Sequence, residues 1–292
     1  MNKHQKAILY AVLAALLYAI SSPISKILLT KISPVLMAAL LYLGAGLGLS
    51  VVGVVQKTFF VHKSIEKHLS KKELPYIFGM IVLDILAPIF LMLGLNLTTA
   101  ANASLLNNFE IVATTIIALF FFREKISFKL WIAIFLVTFS SALLSIEDIS
   151  SFSFSIGSIY VILACICWGL ENNYTRVLSN KNPLQIVILK GFGSGLGSLI
   201  IASVLGELSG NVQYIVFALI LGFMAYGLSI FLYVHAQREL GASRTSAYYA
   251  FAPFIGTGIS LVIFGEVPTV TFIIALSIML LGAYMAYSDR RG

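Results

Sequence analysis

Residues 32–48 read ISPVLMAALLYLGAGLG, and residues 181–197 read KNPLQIVILKGFGSGLG. Both carry a proline at the third position, an apolar run, and a closing G-x-G-x-G pattern. A second pair matches in the same way: NASLLNNFEIVATTIIALFFFREK at 102–125 and RTSAYYAFAPFIGTGISLVIFGEV at 244–267. The chain therefore reads as two copies of one unit, 1–147 and 153–289.

Apolar runs between polar or proline breakers predict spans at 7–29, 34–55, 75–95, 98–121 and 127–145 in the first copy. The second copy predicts 156–178, 183–206, 211–234, 243–264 and 268–287. Each is about long enough for a tilted helix to cross ~30 Å of hydrocarbon. Five spans per unit is an odd number, so the second copy starts from the opposite side of the membrane. The expected fold is all-α: ten transmembrane helices as two inverted five-helix repeats, an architecture of carriers that bind solute between two halves.

Composition agrees: 59% of the 292 residues are hydrophobic and 11% charged, against roughly 45–50% and 25% in soluble domains. The net charge of +7 does not imply nucleic acid, because its placement has another cause. Sixteen lysines and arginines fall at the ends or loops of one side, and only Lys26 and Lys31 at the other. Positive charge collects on the cytoplasmic side, so both termini are expected in the cytoplasm of a plasma (inner) membrane protein. MNKHQK before an apolar run resembles a signal peptide, but no small-x-small cleavage site follows and the run has a partner later in the chain, so it is read as the first span. The longest loop, KTFFVHKSIEKHLSKKEL, fits either an amphipathic helix on the anionic leaflet or a solvated basic linker.

Four ionisable residues fall mid-span: Asp84, Glu110, Glu171 and Lys190. Each costs roughly 2.5 kcal/mol or more to insert, so each needs a partner or water. Counting from the hairpin turn places Glu171 and Lys190 at one depth, which predicts an ion pair, with amides of the following Asn172 and Asn173 available to the carboxylate. That pair either lines a cavity or permanently locks the sixth span to the seventh. Asp84 and Glu110 flank their own turn at similar depth, and Pro88 cannot donate to the Asp84 carbonyl. Three acids against one lysine suit an amine-bearing or cationic solute, or proton coupling through Asp84 or Glu110. Trp168 and the Tyr248–Tyr249 pair could wall an ammonium group, or simply pack.

No catalytic constellation is present: His4, His62, His68 and His235 are scattered, and Cys165 and Cys167 read as packing residues in one apolar run. No enzyme activity, cofactor or metal is expected. The glycine patterns lie within apolar spans, so they read as sites of close helix approach and not as phosphate loops.

The ANASLLNNFEIV segment followed by FFREK, the AFAPFIGTGISLVIFGE segment, CWGLENNYTR and KGFGSGLG together resemble the EamA-type branch of the drug/metabolite transporter superfamily. The resemblance covers essentially the whole chain. It implies transport of amino acids, choline, purines or sugar-linked metabolites, along a path lined by spans one, three, four, six, eight and nine. The Glu-Pro pair such proteins often carry in the fourth span is split here, as Glu110-Ile111 and Ala252-Pro253. The expected activity is secondary transport of small metabolites by alternating access, of amino acids or amine-bearing compounds and with proton coupling allowed for. A non-transporting structural or regulatory membrane partner with the same fold is the alternative. Small-molecule substrate and lipid are the expected partners, with no nucleic acid; a homodimer is allowed for but no apolar heptad specifies one.

Overall fold

The computed structural model describes residues 3–59, 69–122, 127–148, 153–178, 181–208, 211–240, 245 and 248–288. The expected surface segment at 57–74 lies largely outside the described residues; what is described there is the end of one helix and a 3-10 turn at Lys71–Glu73.

In chain order the helices are α1 (Lys3–Ala19), α2 (Ser21–Leu28), α3 (Pro34–Phe59), α4 (Leu74–Leu97), α5 (Ala100–Leu106), α6 (Phe109–Phe122) and α7 (Phe128–Ser145). They continue as α8 (Ile156–Leu178), α9 (Pro183–Val204), α10 (Val212–Gly222), a π-helical turn at Phe223–Leu228, α11 (Ser229–Leu240), α12 (Ala252–Phe264) and α13 (Val270–Ser288). Two short antiparallel strands, Ile146–Asp148 and Ser153–Phe154, join the two copies. Among the described residues, seven helical segments are long and apolar enough to cross a membrane, and α12 and α13 are shorter apolar helices.

Local chemistry sets several starts. Pro183 opens α9, where its missing N–H costs nothing, and the Asn182 side chain accepts from the Gln185 N–H at 3.1 Å. Ser127 and Thr99 cap α7 and α5 in the same way. Pro23 interrupts the first span, separating α1 from α2, whereas α4 runs on through Pro88.

The bundle is apolar outside, and its interior combines large apolar residues such as Met37, Leu41 and Leu105 with small and polar ones. Phe120, Phe135 and Val262 point outward, while Ala11, Ala14 and a series of buried serines face inward, as lipid on the outside requires. The main pairings are α4 with α8, α3 with α9, α7 with α13, α1 with α11, and α5 with α12. The glycine patterns noted in the sequence lie where backbones touch: a Cβ on Gly191 would stand 2.5 Å from the Gly46 Cα. Gly191→Val is therefore expected to push α9 off α3 and lower stability by about 1–3 kcal/mol or more, measurable as an earlier thermal transition in detergent.

Candidate functional site

Asp84 on α4, Glu171 on α8 and Lys190 on α9 meet in the interior. The Lys190 ammonium lies 2.8 Å from Glu171 Oε1 and 3.2 Å from Asp84 Oδ2. The predicted pair is thus one arm of a three-helix bridge. All three side chains are buried; Asp84 is 0% exposed. Tyr42 on α3 donates to Asp84 Oδ1 at 2.7 Å, and Thr175 donates to Glu171. The contact of Lys190 with Asp84 Oδ2 lacks hydrogen-bond geometry, so that oxygen is held by charge alone.

The amides do not serve Glu171 as the sequence suggested. Successive helix residues are about 100° apart, so the Glu171-Asn172-Asn173 triplet faces three ways. Asn172 donates to Glu110 Oε1 at 2.6 Å, and Asn173 donates to the Gly169 carbonyl at 2.8 Å. Gly169 makes the first contact reachable: a Cβ there would lie 2.7 Å from the Ala113 Cβ, so α8 and α6 touch at that level.

Glu110 differs from the other acids. It sits in the first turn of α6, just after the break at Asn107–Asn108, where a helix N-terminus favours negative charge. Among the described residues it has no cation beside it, and it is only half-buried, as are Asn172 and Thr114. The four mid-span charges therefore divide into a buried, paired group of three and one partly exposed acid with no cation beside it among the described residues.

Five tyrosines form a run of ring contacts that begins at Tyr42, the donor to Asp84. Ring centroids step 5.2 Å from Tyr42 to Tyr226, 5.9 Å to Tyr18, 5.5 Å to Tyr249 and 5.0 Å to Tyr233. Tyr226 lies in the π-helical turn, a feature that often marks functional sites. Tyr249 is among the aromatics that the sequence singles out; Tyr18, Tyr42, Tyr226 and Tyr233 are not. Trp168 is 7% exposed within the main apolar core, which fits packing. Among the described residues no three His, Cys, Asp or Glu side chains gather as a metal site needs.

The sequence matches the EamA-like transporter family over residues 5–146 and 155–288. A protein of Methanothermobacter thermautotrophicus named "Uncharacterized transporter" is 26% identical over 289 residues, covering 94% of this chain and 84% of that one. A solved structure described as "Crystal structure of protein" superposes with a TM-score of 0.67 at 17% identity, covering 98% of this chain and 99% of the other, a likeness of fold.

Proposed function

The chain belongs to the EamA-like transporter family of multi-pass membrane proteins, and from that premise we propose that it is a secondary carrier of small amine-bearing metabolites, amino acids among them, working by alternating access. Ten spans in two inverted repeats are the architecture behind this reading. Exchanging each span with its counterpart five places on turns the α1–α11 contact into the α8–α4 contact. The same exchange returns α3–α9, α5–α12 and α7–α13 to themselves, a pattern that supports a two-fold relation between the repeats. The fourth span breaks at Asn107–Asn108, and the ninth turns at Ala250–Phe251, close to the same repeat position. Discontinuous helices facing each other across such an axis are a common site of solute binding. With the basic loops on the cytoplasmic side, both termini are cytoplasmic and the protein sits in the plasma (inner) membrane.

The observation that carries the reading is the division of charge. Lys190 already has Asp84 and Glu171, so this group positions α4, α8 and α9. Glu110, partly exposed and held by the Asn172 amide, has no counter-charge beside it among the described residues, and a buried acid calls for one. A proton or the ammonium of a solute supplies it, and competition between the two would couple them. Asn172 holds the carboxylate by its amide, and Tyr18 and Tyr249, packed on each other at 5.5 Å, are the aromatics assigned to the cation.

Thermal stability of the purified protein against cationic, zwitterionic, neutral and anionic metabolites tests this. A carrier is stabilised by some amine-bearing solute in a saturable way. A non-transporting partner is stabilised by none, and stabilisation only by anions would overturn the amine assignment.

A further inference from the structure

At the end of the bundle away from both termini, Lys26 on α2 reaches across to the C-terminal end of α4. Its ammonium donates to the carbonyls of Leu95 at 2.6 Å, Thr98 at 2.8 Å and Asn96 at 3.3 Å. These carbonyls fall in the last turn of a helix and just beyond it, where backbone acceptors lack intrahelical donors and the helix dipole is negative. The ammonium is thus caged by oxygens on one side. The other side opens on a wide-mouthed depression of about 470 Å³, lined by Thr98, Asn102, Ser155 and Glu266 and by the apolar Leu144 and Ile146.

Glu266 brings a carboxylate to this depression. It follows Gly265, whose φ of 61° turns the chain out of α12. Partial burial raises its carboxyl above the ordinary value, and both Thr99 and Lys26 act against that rise. A lysine that served only to cap α4 would need the carbonyls alone. Here it also lines a depression that it shares with Glu266, an acid from the second copy, and it is partly exposed to that space. Lys26 is also one turn or less from the end of α2 at Leu28, so its long stem can carry the ammonium out to water.

We infer that the three carbonyls and Glu266 form an ammonium-binding station at this face of the carrier, and that Lys26 is its built-in occupant, displaced when a solute amine enters. The structure records the station filled by a primary alkylammonium that is tethered to the chain. The inference rests on the amine-carrier reading, yet it concerns residues remote from Glu110, so the two can fail separately.

The test uses n-butylammonium, the free analogue of the lysine side chain, with n-butanol as the uncharged control. It is run on the full chain carrying Glu110→Gln, so that binding at the interior acid is removed. Adding Lys26→Met, which keeps the apolar stem, is expected to create saturable stabilisation by n-butylammonium at least ten-fold tighter than in Glu110→Gln alone, with none from n-butanol. Further addition of Glu266→Gln is expected to remove most of that gain. Folded Lys26→Met protein with no ammonium-specific response, or with a response that ignores Glu266→Gln, overturns the inference and leaves Lys26 as a helix cap. Should Lys26→Met not fold, Lys26→Gln retains an amide for the carbonyls without the charge. It is expected to show the same response more weakly, and its silence counts equally against the station. Loss of amine binding in Glu110→Gln itself reports on the interior site only.

Discussion

Replacing Lys190 by methionine is expected to prevent stable folding, or to lower stability by about 3–5 kcal/mol, the usual result of removing one partner from a buried ion pair. The reason is the company Lys190 keeps. Its ammonium is the counter-ion for two buried carboxylates, at 2.8 and 3.2 Å, and the remaining donors, Tyr42 and Thr175, are hydroxyls. Without the ammonium, two acids face each other in a medium that solvates neither. Compensation follows from the same logic: adding Asp84→Asn and Glu171→Gln to Lys190→Met removes the charges together, and most of the stability should return. Thermal unfolding of the single and triple variants in one detergent checks this. Equal stability of Lys190→Met and the wild type would mean that the bridge holds nothing together.

Glu110→Gln is expected to behave oppositely, keeping the fold and losing the function. The substituted amide oxygen can still accept from Asn172, whose amide lies 2.6 Å from Glu110 Oε1, so little packing changes. What disappears is the charge. A hydrogen bond to an ionised group is worth about 1.5–3 kcal/mol, so affinity for the amine should fall by about ten- to a hundred-fold, and any dependence of transport on the proton gradient should vanish. Uptake of a radiolabelled amine solute into proteoliposomes, with and without an imposed pH gradient, measures both. Unchanged uptake in folded Glu110→Gln protein would return attention to Asp84 and Glu171.

Much of this was legible in the sequence, and the part that was not has a single cause. Counting residues from a hairpin turn gives depth, and depth placed Glu171 opposite Lys190 correctly. Which way a side chain points around its helix depends on which neighbour that helix meets. Asp84 is therefore read at the depth of Glu110 and without its tie to Lys190, because nothing in the chain says that α4 lies against α8 and α9. The direction of Asn172 was within reach: adjacent residues on a helix diverge by about 100°, so Asn172 could not have faced the partner of Glu171. Tyr226 was out of reach, since a π turn adds a residue without leaving a mark in an apolar run and shifts the face of everything after it. Tyr42 stood inside the repeat that revealed the fold, yet its role appears only when the Asp84 carboxylate is seen 2.7 Å from its hydroxyl.

The central claim is that this chain moves amine-bearing solutes through a site built on Glu110. The most direct measurement is current from proteoliposomes on a solid-supported membrane as cationic and zwitterionic amines are applied at two pH values, for the wild type and Glu110→Gln. The expected result is a saturable, pH-dependent current, or labelled counterflow where exchange is electroneutral, in the wild type alone. Transport of the same size in both proteins would contradict the claim, as would a folded wild type that moves no amine by either readout.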